Sequence, residues 1–120
     1  MINTKIAGNL GEDLACEYLK RNDYKILGRN FRIRGGEVDI VAEDGVTLVF
    51  VEVKTRYSHE FGDPLEAITP WKIKALLKTA LFYIEDKNLG DISYRIDVVS
   101  VDYSQDREKP EIELIKNITS

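Results

Sequence analysis

The chain has 120 residues, and its hydrophobic fraction of 43% is enough for one core without disulfide or metal staples. We therefore expect residues 1–120 to form a single domain. The formal net charge of −4 argues against a dedicated nonspecific nucleic-acid binder, whose affinity comes mainly from Lys and Arg on phosphates. Cys16 is the only cysteine, which excludes an intramolecular disulfide and a thiolate zinc site.

The N-terminus lacks the apolar core of a signal peptide, and no segment approaches the roughly 18 apolar residues that span a bilayer. These features predict a soluble cytoplasmic protein that does not associate with membranes. Charge is unevenly distributed along the chain. Residues 37–53 carry five acidic and no basic side chains, whereas residues 1–36 have a net charge of +3 and residues 54–84 of +2. This pattern favours an anionic ligand held near a cation, with solvated charge scattered by chance as the alternative.

The first helix is predicted over residues 4 to about 22, where apolar side chains recur at spacings of three and four. Its expected buried stripe is Ala7, Leu10, Leu14, Ala15 and Tyr18. Glu12 borders the packed face, and Gly8 and Gly11 remove bulk on that side, so we expect another element to approach closely there. The alternative for Glu12 is a carboxylate on the flank of the helix that reaches water.

Three strands are predicted next, the first within residues 24–34. The other two, at about 36–43 and 46–56, are joined at Asp44-Gly45. This dipeptide between alternating runs is the strongest short-range signal of a hairpin with a type I′ turn, which requires positive φ at both central positions.

A second helix is predicted to begin at Thr69 and Pro70, an N-cap and a first-turn proline, and to end near residues 88–90. Two further strands are indicated at residues 93–102 and 111–118. The order helix, three strands, helix, one or two strands predicts an α/β domain with a mixed sheet and a helix on each face, or both helices on one face. His59, the only histidine, falls in a polar loop, where we expect a surface residue without a catalytic role.

The predicted hairpin gathers charged side chains on one face. Centring the turn on residues 44–45 sets Asp39 opposite Phe50 and Glu37 opposite Glu52. Alternation then gives one face the residues Glu37, Asp39, Phe50, Glu52 and Lys54. Asp39 and Glu52 become diagonal neighbours with backbones roughly 7 to 8 Å apart, which two carboxylates can bridge around one cation. The alternative is an ordinary solvated strand face that carries acids and lysines.

All-oxygen ligation selects a hard ion, and Mg²⁺ typically takes one or two protein carboxylates and keeps its other positions for water and phosphate. Lys54 points to the same volume as a compact positive charge. Phosphodiester hydrolysis needs such a set, because the metal polarises a phosphoryl oxygen and lowers the pKa of a bound water while an ammonium group stabilises developing charge.

The stretch GEVDIVAEDGVTLVFVEVKTR resembles the core of the PD-(D/E)XK nuclease superfamily, in which an Asp on one strand and a (D/E)-x-Lys on the next bind metal and activate water. With GEDLACEYL, GDPLEAITPWK and RIDVVSV, nearly the whole chain resembles the YraN-like family of small bacterial proteins, which is similar to archaeal Holliday junction resolvases. The proline of the motif name is replaced by Val38.

The resemblance implies a restriction-endonuclease-like core and assigns roles by motif. Asp39 and Glu52 would be catalytic metal ligands for Mg²⁺ or Mn²⁺, the Val53 carbonyl a third ligand, and Lys54 the catalytic lysine. Glu12 matches the glutamate that related resolvases place on their first helix near the metal. Related resolvases work as dimers, so the resemblance also allows a homodimer.

The resulting hypothesis is a metal-dependent endonuclease that acts on duplex or branched DNA, or on damaged structures. Its basic flanks would contact backbone phosphates through Arg32, Arg34, Arg56 and Lys72, with solvated surface as the alternative for each residue. A rival hypothesis is a nucleic-acid-binding module with a nuclease-like fold and no turnover of its own. A third is a structural or protein-interaction domain.

Overall fold

The computed structural model describes residues 4–58, 62 and 64–119. The side chains of residues 4–9, 64 and 67 lie outside that description, as does His59. The elements are α1 (Thr4–Arg21), β1 (Lys25–Ile33), β2 (Gly36–Asp44), β3 (Thr47–Arg56), a short 3₁₀ helix (Pro64–Ala67), α2 (Pro70–Asp86), β4 (Tyr94–Asp102) and β5 (Glu111–Ile115). The predicted order of helices and strands is confirmed, and the 3₁₀ helix is an addition within the expected polar loop.

The strands form one mixed sheet in the order β1-β2-β3-β4-β5. Neighbouring strands are antiparallel except β3 and β4, which run parallel, and α2 lies in the connection between them. A parallel pair needs such a crossover, because a tight turn cannot return the chain to the same end of the sheet. Among the described helices none is long and apolar enough to cross a bilayer.

One helix covers each face of the sheet, which decides between the two arrangements left open by the sequence. The first core layer joins α1 to the central strands through Ala15, Cys16, Leu19, Tyr24, Ile40, Ala42, Val49, Val51, Val99 and Val101. The second layer joins α2 to the opposite face through Val38, Val41, Leu48, Phe50, Leu76, Ala80, Ile84 and Ile96. Both faces of β3 are therefore buried, and the predicted solvated face does not exist at its centre.

The packed face of α1 differs in part from the predicted stripe. Gly11, Ala15 and Leu19 are buried, whereas Leu10 is 51% exposed. A Cβ atom on Gly11 would lie 2.2 Å from Thr55 Oγ1, so the close approach expected at this glycine is confirmed. The absence of a side chain lets α1 reach the end of β3, which brings Glu12 towards the centre of the sheet.

The hairpin between β2 and β3 has a different register from the predicted one. Asp44 pairs with Thr47, so the turn residues are Gly45 and Val46. Positive φ is found at Gly45 (60°) and not at Val46, which is typical of a type II′ turn and not of type I′. Asp44 belongs to the strand because its carboxylate binds Arg95, with Oδ2 2.7 Å from the guanidinium.

The observed register differs from the predicted one by two positions. An even shift keeps a side chain on the same face of the sheet but sets a different residue opposite it. Ile40 pairs with Val51, so Asp39 lies level with Glu52 and not with Phe50. The predicted opposition of Glu37 and Glu52 is wrong.

The alternation of faces breaks at Asp39. Val38 packs under α2, whereas Ile40, two residues later, packs under α1. On the neighbouring strand β1 the corresponding interruption is Asn30, whose φ of 55° lies in the left-handed region that asparagine tolerates better than most residues. Asp39 therefore sits where two strands change face together, at the point where β2 separates from β3.

Candidate functional site

The site begins where the pairing of β2 and β3 ends. Ile40 and Val51 are the last paired residues, and beyond them the Asp39 side chain takes the place of a strand partner. Asp39 Oδ2 accepts a hydrogen bond from the backbone N–H of Val53 at 2.8 Å. Since the N–H and C=O of one strand residue point to the same edge, the Val53 carbonyl also faces the gap between the strands.

Glu52 is the most deeply buried acid at this gap. The residue is 3% exposed, and its Oε2 atom has no hydrogen-bond partner among the described residues. Lys72 Nζ lies 3.2 Å from Oε2, which is ion-pair distance without the alignment of a hydrogen bond. Lys72 supplies the positive charge that a buried carboxylate needs, and Oε2 is an acceptor that another positive ligand could also use.

Asp39 has a strongly shifted acid–base equilibrium. Burial is the largest cause, followed by a hydrogen bond and charge repulsion from Glu52, and together they raise the pKa of Asp39 to about 7. The Val53 N–H and the Lys72 charge oppose this shift. A carboxyl group with a raised pKa beside a second buried acid is typical of a site that binds a cation or moves a proton.

Glu12 approaches the pair from α1. Its side chain is 13% exposed and lies 3.4 Å from the guanidinium of Arg29. Burial and the charge of Asp39 raise the pKa of Glu12, while Arg29 and Asn30 lower it. Glu12 is therefore near enough to Asp39 for their charges to interact, as expected for a helix glutamate beside the site.

Lys54 lies two residues beyond Glu52 on the same side of β3 and is half-buried. Its backbone pairs with Ser100 of β4, so the central strands hold the position of its Cα atom. Strand alternation sets the Lys54 side chain on the face of Glu52, and its role beside the acids stays a prediction.

These residues can be tested against a divalent cation. Asp39 and Glu52 supply two carboxylates, and Val53 supplies a carbonyl at the same gap. This set of oxygen atoms fits Mg²⁺, because that ion typically binds one or two carboxylates and keeps several waters. In the described part of the chain no three Asp, Glu, His or Cys side chains converge on one point as a complete metal cage. The ligand role of Glu12 stays a prediction.

The chemistry available at this site follows from its donors. A divalent cation bound by the two carboxylates would polarise a phosphoryl oxygen and lower the pKa of a coordinated water. The protein itself supplies the two adjacent acids, the Lys72 ammonium group beside Glu52 and a largely buried setting that strengthens electrostatic interactions.

The predicted phosphate contacts fall into different environments. Arg32 is 71% exposed and lies 3.0 Å from Glu37, and Arg34 is exposed in the β1–β2 turn. A groove of about 380 Å³ runs beside this turn and is lined by Arg32, Ile33, Gly35, Gly36, Glu37, Lys72 and Ala75. Arg32 thus stands at the wall of a groove that leads to Lys72, and Glu37 belongs to this groove and not to the acid pair.

Arg56 is held within the structure and is only 17% exposed. Its guanidinium donates to the Gly62 carbonyl and lies 3.4 Å from Asp102, while its buried Nε atom has no hydrogen-bond partner in the described part of the chain. In this arrangement Arg56 ties the end of β3 to β4, and its predicted contact with phosphate stays a prediction.

Two features of the site were missed by sequence reasoning. Lys72 was expected as a contact to a backbone phosphate, yet its ammonium group lies 3.2 Å from Glu52. The predicted N-cap could have indicated the position of Lys72. The Lys72 N–H donates to Thr69 Oγ1, which places Lys72 in the first turn of α2. The other feature is the left-handed Asn30, for which a polar residue inside a strand pattern was the available signal.

Comparison with known proteins gives a consistent result. Residues 11–101 match the model of "Uncharacterised protein family UPF0102". A UPF0102 protein of Geobacter sulfurreducens is 50% identical over 115 residues, which cover 96% of this chain and 89% of that protein. UPF0102 proteins of Caldicellulosiruptor saccharolyticus and Dehalococcoides mccartyi are each 47% identical, and the alignments cover 97% and 96% of this chain and 98% and 93% of those proteins. The matched stretch includes every acid of the site.

Proposed function

Since the chain belongs to the UPF0102 family, we propose that it is a metal-dependent endonuclease, which hydrolyses phosphodiester bonds of branched or damaged DNA. The single observation that carries the proposal is the buried Glu52 Oε2 atom, which lacks a hydrogen-bond partner among the described residues and lies beside a second acid with a raised pKa. Such a pair is costly for folding alone and useful for holding a cation.

In this proposal each residue has a distinct task. Asp39 and Glu52 hold Mg²⁺ or Mn²⁺, with the Val53 carbonyl as a further oxygen ligand. Lys54 orients the attacking water or stabilises the charge that develops on the phosphoryl group. The resemblance of the hairpin to the PD-(D/E)XK motif supports these roles, because the spacing Asp39, Glu52-Val53-Lys54 matches that motif.

The acid–base state of the site agrees with metal-dependent chemistry. Burial and the adjacent Glu52 raise the pKa of Asp39, which favours its protonated form. A divalent cation would oppose this effect, since its charge favours the ionised carboxylate. No general base of the histidine type is needed when a metal lowers the pKa of the water.

The test is cleavage of a panel of labelled duplex, single-stranded, flapped and four-way DNA with Mg²⁺ or Mn²⁺. We expect cleavage by the wild type and a loss of at least about 100-fold in Asp39→Ala and Lys54→Met, with far-UV circular dichroism unchanged. Lys74→Ala, an exposed change on α2, is the matched control and should cleave normally. Intact DNA in every wild-type reaction would refute the enzymatic proposal.

A second candidate is a nucleic-acid-binding module without turnover. It is favoured by one observation, the Lys72 ammonium group that already lies 3.2 Å from Glu52. DNA binding that weakens steeply with salt, unaccompanied by cleavage with either metal, would support this candidate over the enzyme.

A further inference from the structure

We propose that Lys72 exchanges its ammonium group between Glu52 and a backbone phosphate of the DNA, so that metal binding and DNA binding strengthen each other. This inference rests on the proposed function, because it concerns the same acids and the same class of substrate. It adds a coupling between two ligands of the site and assigns that coupling to one side chain on α2.

Lys72 lies between a buried acid and an open groove. Its Nζ atom is 3.2 Å from Glu52 Oε2, yet its side chain is 32% exposed whereas that of Glu52 is 4% exposed. Lys72 also lines the groove of about 380 Å³ beside the β1–β2 turn. A flexible four-carbon stem allows the ammonium group to point to either side of this boundary.

The groove has cationic side chains at its rim. Arg32 is 71% exposed, although its guanidinium lies 3.0 Å from Glu37, which also lines the groove. Lys78 is near the wall, since its Nζ would lie 3.2 Å from a Cβ atom on Gly35. A phosphate in the groove would compete with Glu37 for Arg32 and would meet Lys72, which also contacts Glu52.

The Lys72 ammonium group can pair with Glu52 or with a phosphate in the groove, and electrostatic repulsion by a bound metal would favour the second position. In the metal-free protein Lys72 is the cation within ion-pair distance of Glu52 among the described residues. A divalent cation between Asp39 and Glu52 would repel the ammonium group and replace its role at the carboxylate. The released group then gains a phosphate of the DNA as its partner.

Reciprocity follows from thermodynamic linkage. If metal binding frees Lys72 for phosphate, then DNA that captures Lys72 must free Glu52 for metal by the same factor. Coupling factors of about 5 or more are typical of such linked sites. Without Lys72 the coupling should fall to the part that comes from the metal's own contact with a phosphoryl oxygen.

The first measurement is calorimetric titration of Mg²⁺ into protein without DNA, at about pH 8 so that the carboxyl groups are mostly ionised. We expect Lys72→Ala to bind Mg²⁺ about fivefold more tightly than the wild type, because the competing cation is gone. Lys74→Ala, exposed and two residues away, should be unchanged. Equal or weaker Mg²⁺ binding by Lys72→Ala would overturn the proposal.

The second measurement is the affinity for a branched DNA oligonucleotide with and without Mg²⁺ at constant ionic strength, in the Lys54→Met background to prevent cleavage. Mg²⁺ should tighten DNA binding, in part through its own contact with a phosphoryl oxygen and in part by releasing Lys72. Adding Lys72→Ala should lower the factor by which Mg²⁺ tightens DNA binding by about fivefold. Lys72→Arg keeps the charge and should retain the full coupling. An unchanged factor in Lys72→Ala, or absence of DNA binding with Lys72 present, would overturn the proposal.

Two controls keep the outcomes separate. If Lys72→Ala does not fold, Lys72→Gln replaces it. Lys72→Gln should likewise bind Mg²⁺ more tightly than the wild type and show weaker coupling between Mg²⁺ and DNA. Coupling without cleavage in a protein that retains Lys54 would support the exchange of Lys72 while refuting the nuclease, so the two proposals fail separately.

Discussion

Two clusters of buried charge share the same sheet, and they differ in how well their acceptors are satisfied. Beside the β2–β3 turn, Asp97 is 0% exposed and accepts hydrogen bonds from Tyr24 Oη at 3.2 Å, Arg95 Nε at 3.0 Å and the Asn117 N–H at 2.9 Å. Where β2 and β3 separate, Glu52 is nearly as buried, yet its Oε2 atom has no hydrogen-bond partner among the described residues.

The protonation states of the two clusters differ in the same way. Burial and the charge of Asp97 raise the pKa of Tyr24 to about 12, which keeps its hydroxyl group as a donor at neutral pH. At the second cluster, the open cluster of Asp39 and Glu52, burial raises the pKa of Asp39 to about 7, so the charge of Asp39 changes near physiological pH. In the first cluster, the satisfied cluster of Asp97, Arg95, Tyr24 and Asp44, the buried carboxylate of Asp97 has its hydrogen bonds. The open cluster has an acceptor atom, Glu52 Oε2, left for a ligand.

The largest expected effect is the loss of Asp97. Asp97→Ala removes a buried acceptor that serves three donors and leaves Asp44 as the remaining acid beside Arg95 among the described residues, so we expect the free energy of unfolding to fall by about 3 to 5 kcal/mol. Urea denaturation measures this value. Asp13→Ala, whose side chain is 58% exposed, is the control and should change it by less than about 1 kcal/mol. A comparably small change in Asp97→Ala would remove the contrast between the clusters.

Metal should stabilise the open cluster alone. At a free Mg²⁺ concentration of 100 times the dissociation constant, the free energy of unfolding should rise by about 2.7 kcal/mol. Thermal denaturation with Mg²⁺ and with EDTA tests this. The gain should be absent in Asp39→Ala and present in Asp44→Asn, which alters only the satisfied cluster. Stabilisation of the Asp39→Ala variant would place the metal elsewhere.

The open cluster should also make stability depend on pH in the absence of metal. The pKa of Asp39 is raised by folding from 3.8 to about 7, so its contribution is fully present below about pH 4 and is lost as pH rises through 7. Asp39→Asn mimics the protonated carboxyl group and should be more stable than the wild type by about 1 to 2 kcal/mol at about pH 8, discounted for partial exposure.

Chemical denaturation in EDTA at a series of pH values measures the difference between the wild type and Asp39→Asn. The difference should shrink towards about pH 4, where the wild-type carboxyl group carries its proton, and saturating Mg²⁺ should favour the wild type. A pH-independent difference would show that Asp39 ionises normally in the folded protein.

The smallest effect is expected at the rim of the satisfied cluster. Asp44 lies 2.7 Å from the Arg95 guanidinium but is 33% exposed at its side chain, so Asp44→Asn should cost only about 0.5 to 1 kcal/mol. The measurement is again urea denaturation, and addition of salt should reduce the cost. A loss as large as that of Asp97→Ala would mean that the network acts as one unit up to its exposed edge.

Much of the fold was predictable because it follows from local patterns. Alternating apolar runs predicted the strands, and Thr69 with Pro70 predicted the start of α2, which the structure confirms. The choice of turn failed because Gly45 permits two registers, and the ion pair of Asp44 with Arg95, about 50 residues away in the chain, favours the one observed. Long-range contacts of this kind leave no local periodicity.

The candidate site divides along the same line. The sequence by itself determined which acids and amines are available, and it placed Asp39, Glu52 and Lys54 on adjacent strands because side-chain alternation is a local property of the backbone. Only the tertiary structure decided that the pleat breaks at Asp39, that α2 covers Glu52 and that Lys72 is its partner. Burial and the pairing of charges depend on elements far apart in the chain, and these turn a set of charged residues into a site with shifted pKa values and an unsatisfied acceptor.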